Sequence, residues 1–391
     1  MTDDRSGHMP FLPYGRQWID QGDIDAVTRV LNSDYLTTGP EISAFEEELA
    51  AYTGARYAVA VSNGTAALHL AVLALQLEPG ATGITSPNTF VATANALVYA
   101  DHIPRFCDID PETFVMNPQA LEEAMAEDSA DVVLPVHFAG NTAGVEEVSQ
   151  IARKHGAYVI EDAAHSLGGR YLDGTGVGSC THADLTTFSF HPVKTVTTGE
   201  GGAITTNDEE LYNRLLKLRT HGITKDPAQL SQNPGPWYYE MQVLGFNYRM
   251  TDIQAALGRS QLTKLDRFVS RRQELVARYN EAFAHVPWLT TPSEEAGRET
   301  AWHLYVLQFD WNAIGIDRPA VMTALRKKGV GTQVLYIPVP DQPYYRQNYP
   351  QDDARFPGMR RYYDRALAIP LYPAMTDEDQ SRVITAIRDL K

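Results

Sequence analysis

The feature that most constrains the fold of this chain is the alternation of two kinds of segment between about residues 57 and 206. Short apolar runs with a strand-like composition alternate there with helix-like segments. This order is typical of a parallel sheet covered by helices, because strands buried on both faces are apolar throughout and parallel neighbours need a long crossover. The strand candidates are Tyr57–Val61, Gly83–Ser86, Pro104–Asp108, Val132–Val136, Tyr158–Asp162, Leu185–Phe190 and Ala203–Thr206.

Helix candidates lie between these strands, and several begin at a Thr, Asn or Asp that can cap a helix. They are Thr65–Leu75, Phe90–Tyr99, Pro118–Ala126, Gly144–His155 and Glu209–Arg219. The C-terminal candidates are helix Thr251–Leu262 continuing towards Phe283, the segment Tyr305–Phe309, helix Pro319–Lys328, strand Thr332–Tyr336 and helix Asp377–Leu390. Residues 224–246, rich in Pro, Gly, Gln and Tyr, are typical of a long loop. We therefore predict an α/β chain with a large domain over residues 11–250 and a smaller α+β domain over residues 251–391.

Composition argues against several classes of protein. The formal net charge is −16 and no Lys/Arg cluster occurs, so nucleic-acid binding is not expected. No apolar run approaches the roughly 18 residues of a membrane helix. The acidic start, Met1-Thr2-Asp3-Asp4-Arg5, lacks a secretory signal, so we expect a cytoplasmic protein. Ser6-Gly7-His8-Met9 is either an upstream extension or an artificial junction and is set aside in predicting the fold. Cys107 and Cys180 are interpreted as buried thiols without a metal or disulfide role.

Residues 185–202 place one lysine, Lys194, in a turn directly after a strand candidate. The flanking Thr and Gly residues would let this lysine lie close to other groups. Desolvation there would lower its pKa and make the neutral, nucleophilic amine accessible. The segment therefore permits Schiff-base chemistry, although on spacing alone a solvated loop lysine is the commoner meaning of such a pattern.

A carboxylate, Asp162, stands at the carboxyl end of the strand candidate Tyr158–Asp162. Ligands bind at this end of the strands in open α/β sheets. A carboxylate there would keep the pyridine nitrogen of pyridoxal phosphate (PLP) protonated, so that the ring accepts electrons. The alternative is an ordinary helix cap, because Asp often precedes a helix.

A third segment, residues 61–68, joins a strand to a helix through small polar residues. Backbone N–H groups at such a helix start favour a phosphate. Any strand-to-helix turn is rich in these residues, and the segment has neither a dinucleotide fingerprint nor a P-loop. Together, however, the turn, the acid and the lysine supply anchors for the three parts of PLP: phosphate, ring nitrogen and aldehyde.

Several further motifs occur in a fixed order along the chain. They are Leu36-Thr-Thr-Gly-Pro, Ser62-Asn-Gly-Thr-Ala-Ala-Leu, Thr89-Phe-Val-Ala-Thr-Ala-Asn, Glu161-Asp-Ala-Ala-His-Ser-Leu-Gly, Phe188-Ser-Phe-His-Pro-Val-Lys, Thr198-Gly-Glu-Gly-Gly and Gly245-Phe-Asn-Tyr-Arg-Met. With them, the chain from Phe11 to Leu390 resembles the DegT/DnrJ/StrS family of sugar-nucleotide aminotransferases, which are fold-type I PLP enzymes. This resemblance implies a mostly parallel seven-stranded sheet and PLP as the cofactor.

The resemblance also implies roles for individual residues. Lys194 would form the Schiff base and shuttle the proton, Asp162 would pair with the pyridinium, and His165 would lie beside the ring hydroxyl. The phosphate would be held by Gly64, Thr65, Ala66 and Ser189. Phe90 would stack on the ring, although it could instead be an ordinary core aromatic. For Asn247 the ordinary alternative is a turn residue. Asn247 would reach the phosphate of a neighbouring subunit, which implies a homodimer with shared sites.

Within the family, the Phe-His-Pro-Val-Lys segment and residues 331–339 resemble most the pseudaminic-acid branch. The implied reaction takes an amino group from L-glutamate, which leaves as 2-oxoglutarate, to C4 of a UDP-4-keto-6-deoxy-N-acetylhexosamine. Leu335 and Pro340 stand where many relatives have histidine, in the region that meets the substrate. The weaker candidates for the sugar-nucleotide pocket are Tyr14, Arg249, His303, Tyr305, Tyr336 and Tyr344, each of which is as readily an ordinary surface or core residue.

Two rival functions use the same fold. In a PLP-dependent sugar 3-dehydratase, a histidine replaces the Schiff-base lysine, and the presence of Lys194 favours amino transfer. A non-catalytic regulator that uses the fold for sensing is the second rival. Intact Asp162, His165 and Lys194 argue against it.

Overall fold

A seven-stranded sheet forms the centre of the computed structural model, which describes residues 10–391. The acidic start and the Ser6-Gly7-His8-Met9 segment lie outside the described residues. The strands are β1 (Tyr57–Val61), β2 (Thr82–Thr85), β3 (Ile103–Phe106), β4 (Val132–Leu134), β5 (Tyr158–Asp162), β6 (Leu185–Ser189) and β7 (Gly202–Thr206). Their order in the sheet is β1-β7-β6-β5-β4-β2-β3. β7 is antiparallel to both neighbours and the other pairs are parallel. The predicted α/β architecture is thus confirmed.

Helices cover both faces of this sheet. They are α2 (Pro40–Thr53), α3 (Gly64–Ala74), α4 (Val91–Tyr99), α5 (Pro118–Glu127), α6 (Val145–Lys154) and α7 (Glu209–Arg219), whereas the first helix, α1 (Gln21–Leu31), packs on the later helix Asp252–Leu262. The Asn63, Asn117 and Asp208 side chains cap α3, α5 and α7 by accepting backbone N–H bonds, which satisfies amides that have no intrahelical acceptor. The first two helices were not predicted, although α1 has a capping box and α2 begins with a proline and ends at Gly54, whose φ is +81°.

The C-terminal part is built around a small antiparallel sheet. Before it, residues 224–246 were predicted as a loop. One short strand pair lies at their start and within them, β8 (Ile223–Thr224) with β9 (Glu240–Met241). The small sheet has the order β10-β11-β12 and comprises β10 (Leu289–Thr290), β11 (Tyr305–Phe309) and β12 (Ala366–Ile369). The helices are α8 (Asp252–Leu262), α9 (Leu265–Phe283), α10 (Trp311–Ile314), α11 (Arg318–Lys327), α12 (Pro343–Asn348), α13 (Pro357–Arg365) and α14 (Asp377–Arg388).

Two predictions for this part were wrong in detail. The helix expected to run on from residue 251 to Phe283 is two helices, separated at Thr263 and Lys264. Residues 332–336 do not form a strand, because only Gln333 pairs, in an isolated bridge to Ala368. The backbone carbonyl of Leu335 instead accepts a hydrogen bond from the Tyr362 hydroxyl, which diverts the chain from the sheet.

We propose that the division between two lobes falls within α9, later than the predicted boundary at residue 250. Met250, Leu262 of α8 and Val269 near the start of α9 pack in one cluster with Phe45 of α2 and Phe190, which follows β6. From Leu275 onward, α9 contributes to a separate core with β11 and α14. We therefore propose that α9 belongs to both lobes and joins them. No helix within residues 10–391 is both long and apolar enough to cross a bilayer.

Candidate active site

A cleft of about 760 Å³ opens at the carboxyl ends of β5 and β6. The predicted site residues that line it are Tyr14, Gly64, Thr65, Ala66, Phe90, Asp162, His165, Ser189, Lys194 and Tyr336. They come from both lobes, since Tyr14 and Tyr336 belong to segments that pair or bond with the small lobe. The structure therefore brings together the lysine, the acid and the anion-binding turn that lie far apart in the sequence.

Lys194 lies in a loop that we call the Lys194 loop, residues 190–201. Its two ends are joined, because Ser189 pairs with Gly202 and the Phe190 amide donates to the Gly201 carbonyl at 2.9 Å. Phe190 also accepts at its carbonyl from the Thr198 amide at 3.0 Å, so the loop is closed at its base. Burial lowers the pKa of Lys194 to about 8, and the nearby Asp162 carboxylate opposes this shift. A useful fraction of the amine is thus neutral near pH 8.

Asp162 faces the same cleft from the end of β5. Its Oδ2 accepts a hydrogen bond from the Thr93 hydroxyl at 2.6 Å, and its Oδ1 accepts one from the Ala164 amide at 3.2 Å. Burial raises the pKa of Asp162, while these two bonds and the charge of Lys194 act in the opposite direction. A buried carboxylate is costly unless it is paired, so Asp162 would favour a further cationic group beside it in addition to Lys194.

The anion-binding turn, residues 63–66, starts α3 beside the end of β6. Asn63 caps the helix by accepting from the Ala66 amide at 2.8 Å, and the preceding amides point along the helix axis without an intrahelical acceptor. A Cβ added to Gly64 would lie 2.8 Å from the Cβ of Ser189, and one added to Gly202 would lie 2.5 Å from the Asn63 carbonyl oxygen. Glycine at both positions lets the turn approach the sheet closely.

An aromatic wall closes the other side of the cleft. The Phe90 ring, 54% exposed, has its centroid 5.6 Å from that of Tyr336. The Tyr336 hydroxyl lies 3.4 Å from His165 Nε2, and the buried ring of His165 lies 4.3 Å from that of His303. Burial and the charge of Lys194 hold the pKa of His165 well below its usual range, so the ring is neutral.

Five predicted residues do not line the cleft. Tyr305 is buried in the small sheet and donates its hydroxyl to Asn280 Oδ1 at 2.7 Å, so its predicted contact with a sugar-nucleotide is corrected to a core role. Tyr344 is 52% exposed and packs on Tyr345. His303 lies behind His165, and Arg249 and Asn247 pair as isolated bridges with Val61 and Thr220.

Several lining residues were not singled out from the sequence. The most informative is Thr89, whose hydroxyl lies 2.8 Å from that of Thr93. Thr93 itself is buried behind the lining and donates its hydroxyl to Asp162. The two threonines are four residues apart, with Thr89 just before the helix candidate and Thr93 in its first turn, a spacing that would place their side chains on one face if the helix extended back to Thr89. This periodicity was the available signal. Tyr99 and Tyr248 also line the cleft, and no local pattern marks them.

Glu161, the residue before Asp162, points to the opposite face of the sheet and is completely buried. Its Oε2 accepts from the Tyr171 hydroxyl at 2.6 Å and from the Thr186 hydroxyl at 2.8 Å. Its Oε1 lies 3.9 Å from His137 Nε2, and neither atom has a hydrogen-bond partner among the described residues. Burial raises the pKa of Glu161 to about 7 and lowers that of His137 to about 3.

We expect Glu161→Gln to remove a pH-dependent loss of stability. Because the pKa of Glu161 is about 7 in the folded protein and near its ordinary value of 4.5 when unfolded, the native state binds the extra proton between these values. Relative to Glu161→Gln, wild-type stability should therefore fall as the pH rises through this window, by roughly 3 kcal/mol if the shift is fully expressed. The comparison between the two proteins is needed because neutral His137, whose pKa is lowered, changes stability in the opposite direction. Urea unfolding of the cofactor-free protein between pH 5 and 8 measures it. The exposed Glu281→Gln is the control, and parallel pH curves for wild type and Glu161→Gln would contradict the assignment.

Comparison with known proteins agrees with this geometry. The DegT/DnrJ/EryC1/StrS aminotransferase family profile matches residues 17–388. The spore coat polysaccharide biosynthesis protein SpsC of Bacillus subtilis (strain 168) is 42% identical over 381 residues, covering 97% of each chain. PseC of Helicobacter pylori, an aminotransferase involved in the biosynthesis of pseudoaminic acid, has a TM-score of 0.89 at 28% identity, covering 97% of this chain and 99% of PseC. The PLP form of a candidate sugar aminotransferase, Spr1654 of Streptococcus pneumoniae, has a TM-score of 0.88 at 28% identity, covering 97% and 100%.

The fold and the cleft together define a fold-type I PLP enzyme. The chain belongs to the DegT/DnrJ/EryC1/StrS aminotransferase family, whose cofactor is PLP. The residues present fit this cofactor. Asp162 is a buried carboxylate suited to a protonated ring nitrogen, the turn at Gly64 offers backbone amides to a phosphate, and the Lys194 amine is partly neutral and able to attack an aldehyde.

Proposed function

We propose that this enzyme transfers the amino group of L-glutamate to a keto sugar-nucleotide, at C4 of a UDP-4-keto-6-deoxy-N-acetylhexosamine. The observation that carries the amino-transfer part is that Lys194 and Asp162 face one cleft beside the anion-binding turn. The likeness to PseC supports the pseudaminic-acid type of substrate, and the likeness to SpsC supports a place in the synthesis of a surface polysaccharide. PLP, when bound, supplies the aldehyde that carries the amino group and a ring that accepts electrons.

The chain's own residues divide the work around that cofactor. Lys194 would attach the cofactor and, once released, move a proton at its Nζ, for which a pKa of about 8 is suited. Asp162, oriented by Thr93 and the Ala164 amide, would keep the ring nitrogen protonated. Residues 64–66 and Ser189 would hold the phosphate. Phe90 and Tyr336 would cover the ring and exclude water on the open side.

The C-terminal lobe would select the sugar. Leu335 and Tyr336 line the cleft, and Tyr14 lines it from the N-terminal segment. Leu335 is 8% exposed and Pro340 is buried, and neither side chain has the polar atoms with which a histidine could carry charge or form a hydrogen bond. We propose that this more apolar edge favours the methyl group at C6 of a deoxy sugar over a hydroxylated substituent.

We also propose a cytoplasmic homodimer with shared sites. Asn247 is exposed and lies outside the cleft of its own subunit. This position is required of a residue that contacts the PLP phosphate in the neighbouring subunit. The segment before it carries large exposed apolar side chains, among them Trp237 at 71% and Leu244 at 78%. Such a surface is typical of an interface. Sedimentation of the protein, and recovery of activity when Lys194→Ala and Asn247→Ala subunits are mixed, would test the shared site.

The substrate proposal is tested by a panel of keto sugar-nucleotides with purified enzyme and L-glutamate. The panel should vary the nucleotide between UDP and dTDP and the keto position between C3 and C4. We expect the UDP-4-keto-6-deoxy-N-acetylhexosamine to give the largest kcat/KM and a C4 amine by NMR. A larger kcat/KM for a 3-keto or dTDP-linked sugar would overturn the substrate, and the loss of a C3 hydroxyl without amination would indicate the dehydratase instead.

The amino-transfer part has its own test. Enzyme loaded with PLP should show absorbance that borohydride removes and a spectral change with L-glutamate. Absence of both signals would favour a non-catalytic regulator over an aminotransferase.

A further inference from the structure

A short turn at residues 138–140, after β4, fixes the orientation of His165. The His137 amide before this turn donates to the Asp162 carbonyl at 3.0 Å, which ties the turn to the end of β5. Ala139 adopts a left-handed conformation, with φ +58°, and its amide donates to His165 Nδ1 at 3.3 Å. A Cβ on Gly140 would lie 3.0 Å from the His165 carbonyl oxygen, so the turn sits directly against this histidine.

This contact decides which ring nitrogen of His165 carries the proton. An amide N–H can only donate, so Nδ1 must accept and must lack a hydrogen. The ring is neutral, because burial and the charge of Lys194 lower its pKa. Its single N–H is therefore on Nε2, the atom that lies 3.4 Å from the Tyr336 hydroxyl oxygen. The His303 ring packs against the imidazole at a tilt of 35°, with the ring centroids 4.3 Å apart, and restricts its rotation.

The tautomer in turn decides what Tyr336 presents to the cleft. Its oxygen accepts from His165 Nε2, so its own hydrogen must point elsewhere. Among residues 10–391, no second protein partner of this hydroxyl is found. The Phe90 and Phe138 rings flank the phenol, with their centroids 5.6 Å and 6.2 Å from that of Tyr336. Because these neighbours are apolar, the hydroxyl hydrogen can find a polar partner only in the cleft. Burial raises the pKa of Tyr336, which keeps the phenol protonated.

We propose that Tyr336 is a catalytic hydrogen-bond donor to the substrate oxygen that enters or leaves as water, and that His165 is a positioning residue that sets its direction. The proposal rests on the proposed amino transfer. In the first half reaction, the amino group of L-glutamate and an electron pair would pass to PLP, and water supplies the oxygen that becomes the keto oxygen of 2-oxoglutarate as the C–N bond of the substrate breaks. In the second, the amino group and the electron pair would pass to the sugar: its C–O bond breaks, the keto oxygen leaves as water and a C–N bond forms. The same donor therefore serves an oxygen in both halves.

The tautomer can be tested without turnover. Nitrogen-15 labelling of the histidines in the cofactor-free protein, with the His165→Gln variant assigning the signal, reports which ring nitrogen of His165 is protonated. We expect protonation at Nε2 alone, from pH 6 to 8. Protonation at Nδ1, or at both nitrogens, would overturn the proposed positioning role whatever the enzyme's activity proves to be.

A second test separates a donor from a packing residue at position 336. Tyr336→Phe should lower the rate of both half reactions about 10- to 100-fold, as loss of a donor to a developing oxyanion does. The KM for the sugar-nucleotide should stay within about threefold, because the lost bond acts on the reacting oxygen. Tyr279→Phe, which removes a buried core hydroxyl bonded to the Pro370 carbonyl at 2.9 Å, is the matched control. An unchanged kcat for Tyr336→Phe, or a change confined to KM, would overturn the donor role.

The variants His165→Gln and His165→Asn then show whether His165 orients the Tyr336 hydroxyl or only fills space. Gln can place an N–H near the former Nε2 and donate to Tyr336, whereas Asn can place its oxygen near the former Nδ1 and accept only from Ala139. We expect Gln to retain more kcat than Asn by about tenfold, the value of one hydrogen bond. Equal activity of the two, or a more active Asn variant, would contradict the proposal. If the wild type aminates no sugar, the glutamate half reaction still compares these variants, so failure of the substrate assignment is recognised separately.

Discussion

Replacing Lys194 with alanine is expected to abolish turnover, with a loss of at least about 10⁴-fold in kcat, as for removal of other residues that act both as nucleophile and as proton carrier. Burial lowers the pKa of this amine to about 8, and the structure offers no second lysine in the cleft formed by the described residues. The measurement is the rate of 2-oxoglutarate formation in a single turnover. Cofactor should still bind through the anion-binding turn and Asp162.

Two controls make this result specific. Lys194→Arg keeps the positive charge but cannot form a Schiff base, so it should be as inactive as the alanine variant. Lys328→Ala removes a surface lysine that pairs with Asp389 at 3.1 Å and should retain full activity. If Lys194→Ala keeps a kcat within 100-fold of wild type, Lys194 is not the Schiff-base lysine.

Asp162→Asn is expected to lower kcat by about 10²- to 10³-fold, the range found when one preorganised electrostatic contact is removed. The amide is nearly isosteric and can keep the bond from Thr93, so the loss would come from the missing charge. Since burial raises the pKa of Asp162 and a cationic ring would lower it, the wild-type carboxylate should also bind PLP more tightly than the amide. Fluorescence titration of PLP and the single-turnover rate with L-glutamate measure the two effects.

Glu161→Gln is the matched control for this variant, because it removes the neighbouring carboxylate from the other face of the same strand. It should leave kcat unchanged at pH 7. Equal losses from the two substitutions would mean that disturbance of β5, and not the charge of Asp162, causes the effect.

The sequence was most informative where a residue of suitable chemistry directly follows a predicted strand of the parallel sheet. Apolar runs without alternation predicted the seven strands of the large sheet, and parallel strands bring their carboxyl ends to one edge. Asp162 and Lys194 follow two such strands, so their meeting in one cleft was foreseeable from the order of elements. The anion-binding turn could be located for the same reason, because it too joins a strand to a helix.

The errors lie where long-range packing decides. Tyr305 was predicted near the substrate from its aromatic character, but the alternation of faces along β11 turns it into the small-lobe core. Residues 332–336 have β-forming side chains, yet the bond from Tyr362 to the Leu335 carbonyl competes with strand pairing. The role of Ala139 at His165 depends on a left-handed residue, for which alanine gives no local signal.

The closed base of the Lys194 loop also has a kinetic consequence. Ser189 and Gly202 pair across it, so the amine stays tethered beside the reacting atoms after a substrate displaces it. A tethered group of this kind behaves as though it were present at a very high effective molarity, about 10⁵ M or more for well-oriented pairs. A free amine added to the Lys194→Ala enzyme would act at its bulk concentration, which is far below that effective molarity. Rescue by small amines should therefore be weak and linear in amine concentration, with no approach to the wild-type rate.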